Sequence, residues 1–240
     1  DDITGTSLAK CYQRNWGDLL ISLNEFTSIY EEAAGDIASA ADTSFARGRA
    51  LLAYNPAQTL RRCCAEALTD RPAAGRFLRV YDAKGKETPS QTSDAGEGKM
   101  RLVFEAEVPG CGYAVYDLRE ENEPCTLENF ARADERSLEN GRYRVTLDSN
   151  GDIAGIFDKR LGLELLSAPV RMALFDYDGC MTYPAWELEY RELKKKPAAY
   201  AADPTFIVRE NGPARAAVET VRTARGSVFR QIITLEAQGD

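Results

Sequence analysis

Tyr143-Arg144-Val145-Thr146-Leu147-Asp148 is followed by Ser149-Asn150-Gly151-Asp152 and then Ile153-Ala154-Gly155-Ile156-Phe157. Asn-Gly between two alternating runs predicts a β-hairpin with a two-residue turn, because both central residues of that turn take positive φ. Similar short runs lie on either side. Residues 50–54 lead to the turn signal Asn55-Pro56, and residues 59–69, 76–81, 100–108 and 112–118 read as strands. Residues 170–175, 205–209, 214–223 and 227–235 continue the series. Leu102, Phe104, Ala106 and Val108 alternate with Val103, Glu105 and Glu107, the pattern of a half-buried strand. Residues 83–86 and 93–98 read as turn-rich connections, and Glu120 to Pro124 as a linker. Many strands without a second helical run predict an antiparallel β-sandwich over residues 45–240.

Upstream the grammar differs. Residues 1–55 contain no proline. Leu8, Tyr12, Trp16, Leu19, Leu23, Phe26, Tyr30, Ala33 and Ile37 trace one stripe at a period near ~3.6. Asn15-Trp16-Gly17-Asp18 is the place where this helix could break. At ~1.5 Å per residue the stripe spans about 45 Å, and an apolar stripe must pack on something. Residues 1–44 offer no partner helix, so pairing of two copies along the stripe, a homo-oligomer, is expected.

The chain of 240 residues carries a net charge of −8 and has a pI near 4.9. Its longest basic run, Lys194-Lys195-Lys196, lies beside Glu187, Glu189 and Glu192 and reads as solvated surface, so no nucleic-acid partner is expected. There is no histidine, which excludes a Ser-His-Asp or Cys-His relay within the chain and the commonest zinc ligand. Cys11, Cys63, Cys64, Cys111, Cys125 and Cys180 form no C-x-x-C pair. Scattered thiols fit a reducing compartment, hence a cytoplasmic protein. No run approaches the ~18 apolar residues of a membrane span, so no membrane partner is expected. The opening residues, DDITGTS, lack the basic and apolar regions of a signal peptide and read as the interior of a longer protein.

Three stretches together resemble the family 38 glycoside hydrolases, the class II α-mannosidases. Asp1-Asp2-Ile3-Thr4-Gly5-Thr6-Ser7 is similar to the end of the family's His-His-Asp-x-x-Thr-Gly-Thr motif, with Asp1 on its aspartate. Leu51-Leu52-Ala53-Tyr54-Asn55-Pro56 is similar to the family's first β-domain strand. Residues 138–165, with Glu139-Asn140, Asp158-Lys159 and Gly162-Leu163-Glu164, followed by Tyr183-Pro184-Ala185-Trp186-Glu187, resemble its Glu-Asn…Asp-Lys…Gly-x-Glu…Ala-Trp-(Asp/Glu) pattern.

The resemblance implies an internal fragment of a retaining, zinc-dependent α-mannosidase that acts on mannose-containing glycans. Residues 1–44 would be the remnant of a three-helix middle domain. Residues 45–240 would be the front of a galactose-mutarotase-like supersandwich, and the catalytic domain, with its zinc and nucleophile, would lie upstream of Asp1. No catalytic residue and no cofactor are then expected in this chain. Asp1, Tyr183, Trp186 and Glu187 are the candidate substrate-binding residues. A Trp face stacks on the C–H face of a sugar and a carboxylate accepts from its hydroxyls; the alternative is an aromatic plug at the end of a sandwich. Asp176 and Asp178 would share one strand face and could hold a cation, or simply mark a solvated strand end. Asp158, Lys159, Arg160 and Gly162 read as a turn. Two other roles stay open: a carbohydrate-binding β-sandwich without hydrolase activity, and a docking element working through the helix.

Overall fold

The computed structural model describes residues 8–128, 131–176 and 189–238. These divide into two compact units, one holding the N-terminal helix and residues 189–196, the other the β-structure.

Helix α1, Ala9–Ala40, runs unbroken through Asn15-Trp16-Gly17-Asp18. A mid-helix glycine costs only about 1 kcal/mol relative to alanine, which a helix of 32 residues tolerates. None of its residues is buried. A one-turn helix, α2 (Tyr190–Leu193), lies in the same unit.

The β-structure is antiparallel, as the alternation predicts, and contains two separate cores. The first is built from β1 (Arg49–Asn55), β2 (Arg61–Asp70), β3 (Phe77–Tyr81), β4 (Glu87–Thr88), β5 (Ser90–Gly96), β6 (Lys99–Val108) and β7 (Gly112–Glu121). One sheet has the order β1-β7-β3-β4 and the facing sheet the order β2-β6-β5. Leu78 and Val80 from β3 and Tyr116 and Leu118 from β7 meet Leu102, Phe104, Ala106 and Val108 from β6. The turn at Asn55 is fully bonded: its side-chain amide donates to the carbonyls of Thr59, Val108 and Pro109 at 2.9, 3.1 and 3.0 Å, and its Oδ1 accepts from Ala57 N at 3.0 Å.

The second core follows, from β8 (Arg132–Asp134), β9 (Ser137–Glu139), β10 (Tyr143–Leu147), β11 (Ile153–Asp158) and β12 (Leu163–Glu164). Two short strands, β13 (Ala173–Leu174) and β14 (Ala199–Tyr200), lead to β15 (Ala202–Asn211), β16 (Arg215–Ala224) and β17 (Ser227–Glu236). The sheet β12-β11-β10-β9-β8 packs against β15-β16-β17, burying Leu138, Val145, Leu147, Ala216 and Val218. A polar clamp joins the two sandwiches. Gln91 Oε1 accepts from Ala214 N and Arg215 N at 3.1 and 3.0 Å, its Nε2 donates to Arg215 O at 3.0 Å, and Cys64 N donates to Glu236 Oε2 at 3.0 Å.

Three local expectations need correction. The Asn-Gly hairpin has a three-residue loop, Ser149-Asn150-Gly151, in which Gly151 alone takes positive φ, 77°. Asp148 decides this: its carboxylate accepts from Asn150 N at 2.8 Å and Asp152 N at 3.1 Å, which fixes a type I turn closed by a left-handed glycine. Most of residues 93–98 extend an edge strand, β5, whose polar sequence hides a register set by β6. Residues 170–175 form only a bridge from Val170 to Ile153 and the two-residue β13.

Candidate functional site

Asp1, Tyr183, Trp186 and Glu187 all lie outside the described residues, as does Asp178 of the acidic pair; Asp176 is described. The structure does describe the β-strands that flank residues 177–188 in sequence. Ala173 pairs with Tyr200 and Leu174 with Ala199. Ala198 N donates to Leu174 O at 2.8 Å and Ala201 N to Met172 O at 3.1 Å. The chain therefore leaves the β-structure at Leu174 and rejoins it at Ala199 on the adjacent strand.

A buried charge network fixes this foot. Asp152, just after the hairpin turn, is 1% exposed and accepts from Arg222 Nη1 at 2.6 Å and Arg171 Nε at 3.0 Å. Arg171 also lies over the Tyr200 ring, 3.5 Å from its centroid, so the charge of Asp152 is tied to both β14 and the chain entering β13. Arg222 is itself 1% exposed and donates from Nη2 to Gln231 at 2.6 Å. The glycine at 151 is required here: a Cβ would lie 3.1 Å from Pro204 Cβ, with the Arg222 and Thr220 side chains just behind. A larger residue would push the turn off the network.

The residues of the family-like pattern turn out to hold backbone. Asn140 donates to Glu236 O at 2.7 Å and accepts from Arg142 N and Tyr143 N at 2.8 and 2.6 Å, locking β17 to the start of β10. Lys159 reaches Asn140 O and pairs with Glu139 at 2.7 Å. Asp158 closes the expected turn by accepting from Arg160 N and Leu161 N at 2.9 and 3.0 Å. Glu164 accepts from Ile156 N at 2.6 Å and Leu166 N at 3.0 Å.

The electrostatics agree. Burial alone would raise the Asp158 pKa, but the N–H groups of Leu161 and Arg160 and the Arg142 guanidinium outweigh it and hold the carboxyl below its ordinary range. The Ile156 and Leu166 N–H groups lower Glu164 in the same way. A general acid needs a carboxyl that keeps its proton near neutral pH, and these two do the opposite. Among the described residues no group of three or more Cys, Asp and Glu side chains converges to hold a metal. The described residues do not fit zinc.

The sequence reading missed the Asp152–Arg222 pair. Strand periodicity contains half of the signal, since Arg222 falls in phase with Ala216, Val218 and Thr220 on the core face of β16. The choice of Asp152 from 38 acidic residues needs the fold.

Residues 138–240 match the glycosyl hydrolases family 38 C-terminal domain. The match contains the whole Glu139 to Glu187 pattern, so the resemblance is borne out over that span. No curated protein matches the chain. Among solved structures it is similar to an alpha-mannosidase from Enterococcus faecalis V583, at 16% identity and a TM-score of 0.48, covering 80% of this chain and 25% of that one. It is also similar to a protein in glycosyl hydrolase family 38 from Enterococcus faecalis, at 14% identity and a TM-score of 0.44, covering 79% of this chain and 29% of that one. The chain thus spans little more than a quarter of the solved structures it matches. No described helix is long and apolar enough to cross a membrane.

Proposed function

We propose that this chain is a non-catalytic portion of a retaining, zinc-dependent α-mannosidase that removes terminal α-mannose from glycans, and that it supports the substrate cleft. The observation that carries this reading is the family 38 match over residues 138–240. The chemistry is divided between this chain and a domain upstream of it. A retaining glycosidase needs two carboxyls about 5–5.5 Å apart, one as nucleophile and one holding a proton; the described signature carboxylates are committed to backbone N–H groups. Zinc would likewise be held upstream. The part left to this chain is recognition: Trp186 stacking on a sugar face, Glu187 and Tyr183 bonding hydroxyls, and Asp1 lying beside the upstream zinc ligands. The Asp152–Arg171–Tyr200 network holds β13 and β14, the strands that precede and follow this segment in sequence.

The test compares this chain with the longer polypeptide that contains it, on an aryl α-mannoside with zinc present. Activity is expected in the longer polypeptide only, with Trp186→Ala raising KM more than it lowers kcat. Turnover by the 240-residue chain alone would overturn the reading. The second reading, a carbohydrate-binding module, is favoured instead if the longer polypeptide is inactive while the isolated chain gives a saturable glycan-array signal.

A further inference from the structure

The first sandwich contains a cleft of about 650 Å³ away from the family-like residues, within the 300–1,000 Å³ typical of small-molecule sites. The β3–β4 hairpin, strands β6 and β7, Leu127 and Gln238 line it. Three features of this cleft point to one class of ligand. First, Glu105 projects from β6, and its Oε1 is buried with no hydrogen-bond partner among the described residues. A buried carboxylate oxygen without a donor is costly, and a ligand that donates to it recovers that cost. Secondly, the hairpin contributes two lysines, Lys84 and Lys86, to the lining. Asp82 Oδ1 accepts from Lys84 N and Lys86 N, each at 2.9 Å, while Gly85 takes φ of 76°, so both lysines are held by backbone and exposed at their side chains. Of the other charges of the lining, Arg62 pairs with Glu107 at 2.7 Å, Glu87 pairs with Arg79, and the Asp82 carboxylate is held by the two backbone N–H groups of its own turn. Thirdly, Pro89, Ala114, Val115 and Leu127 supply an apolar wall.

A sugar fits this lining poorly. The aromatic residue there, Tyr116, is 5% exposed, and its hydroxyl is already bonded to Glu107 N and O at 2.8 and 3.1 Å. No ring face is available for stacking. A donor for Glu105, an aliphatic stem for the wall and an anion for Lys84 and Lys86 together describe a linear zwitterion.

We propose that the cleft between the β3–β4 hairpin and strands β6 and β7 binds small linear ω-amino acids, with the ammonium on Glu105 and the carboxylate on Lys84 and Lys86. The proposal is independent of the glycosidase reading, because no residue of the cleft belongs to the family-like pattern.

The experiment is calorimetric titration of the 240-residue chain with ε-aminocaproate, with hexylamine and hexanoate as one-ended controls. Saturable binding of ε-aminocaproate is expected, at least about tenfold tighter than either control. Glu105→Gln should weaken ε-aminocaproate and hexylamine by about tenfold and leave hexanoate unchanged, and Lys84→Ala/Lys86→Ala should weaken ε-aminocaproate and hexanoate alone. The lysine variant keeps the Asp82 turn, whose bonds are to backbone, so unchanged circular dichroism is expected and separates lost binding from lost folding. No saturable heat with ε-aminocaproate, or equal affinity in wild type and Glu105→Gln, would overturn the proposal. So would a glycan that competes for Glu105 while ε-aminocaproate does not.

Discussion

Removing the carboxylate of Asp152 is the sharpest test of how the second sandwich is held together. Asp152 and Arg222 are each 1% exposed and meet at 2.6 Å, while Arg171, the other partner of Asp152, keeps 41% of its side chain in solvent. Asp152→Ala leaves the Arg222 guanidinium buried with no counter-charge, and breaking one side of such a pair costs about 3–5 kcal/mol. Arg171→Ala leaves the buried pair whole and removes only a partly solvated bond, about 1 kcal/mol or less. Replacing both partners by apolar residues, Asp152→Leu with Arg222→Met, should cost less than Asp152→Ala alone, because no charge is stranded. The two cores argue against a single two-state transition, so a local readout is preferable to a global midpoint. Tryptophan fluorescence is unsuited as well, since the described tryptophan, Trp16, lies in helix α1. Hydrogen exchange by mass spectrometry on residues 215–224 reads β16 directly. At about 3 kcal/mol, Asp152→Ala should lower protection there about a hundredfold, with little change in β6. Equal loss of protection in Asp152→Ala and Arg171→Ala would show that the pair is not the buried element holding this sheet.

Cys64 should be the slowest described cysteine toward iodoacetamide at pH 8, with Cys11 and Cys111, both exposed, labelled first. Burial, reinforced by the Glu236 charge, pushes its thiol up to about 12, and peptide mapping after timed labelling reads the order. Asp117 should contribute to acid stability. Burial raises its pKa, but bonds from Arg47 N, Gly48 N and Arg119 outweigh that and leave it depressed. Its contribution is then complete above the unfolded value near ~3.9 and lost as pH falls below it, so Asp117→Asn should destabilise the first sandwich at pH 7 and make little difference near pH 2. Helix α1 leaves Leu19, Leu23, Phe26 and Tyr30 exposed, and burying each in a pair of copies is worth about 1.5–3 kcal/mol. Leu23→Asp should therefore sediment as a monomer with unchanged sheet content, and loss of the sheet signal would show instead that the helix supports the β-structure.

The β-strands were legible wherever one face meets a core and the other meets water or a charged neighbour. Strand β6 is the clearest case: Leu102, Phe104, Ala106 and Val108 are all buried, in the phase that alternation gives. Val103 is buried too, out of phase, because the β15–β16 connection covers that face beside Gln91 and Gly212. No alternation rule contains that, since it arises from a second sandwich docking on the first. The same docking explains β5, whose Gln91 reads as a surface glutamine and is instead the hub of the clamp. Turns followed side-chain chemistry more closely than dipeptide identity. Asp82 and Asp148 each accept from the N–H groups two and four residues on, with a glycine at the third position, and each builds the same loop. The aspartate sets the turn and the glycine closes it, so an Asp-x-x-Gly reading recovers both hairpins where Asn-Gly misplaces one.

The candidate site was legible in a different sense. Asn140, Asp158 and Glu164, three of the residues that carry the family 38 resemblance, each occupy a place where backbone N–H groups would otherwise lack an acceptor. A backbone amide left without its acceptor costs up to about 1–3 kcal/mol when buried, so Asn140 and Asp158, whose bonds are part-buried, serve the fold whatever chemistry is performed beside them, while Glu164 does so at an exposed edge. A match carried by them identifies the scaffold. It speaks for residues 138–240 and leaves any substrate to residues of another kind, those that gain nothing for the fold. Under the proposed function, Tyr183, Trp186 and Glu187 would be residues of that kind. The framework's own contribution is local: β13 and β14, which precede and follow that segment in sequence, pair with each other, and Arg171, held between Asp152 and the Tyr200 ring, ties them to the interior. A substitution at Arg171 should then alter substrate affinity in the longer polypeptide far more than it alters stability, whereas one at Asp158 or Asn140 should do the reverse.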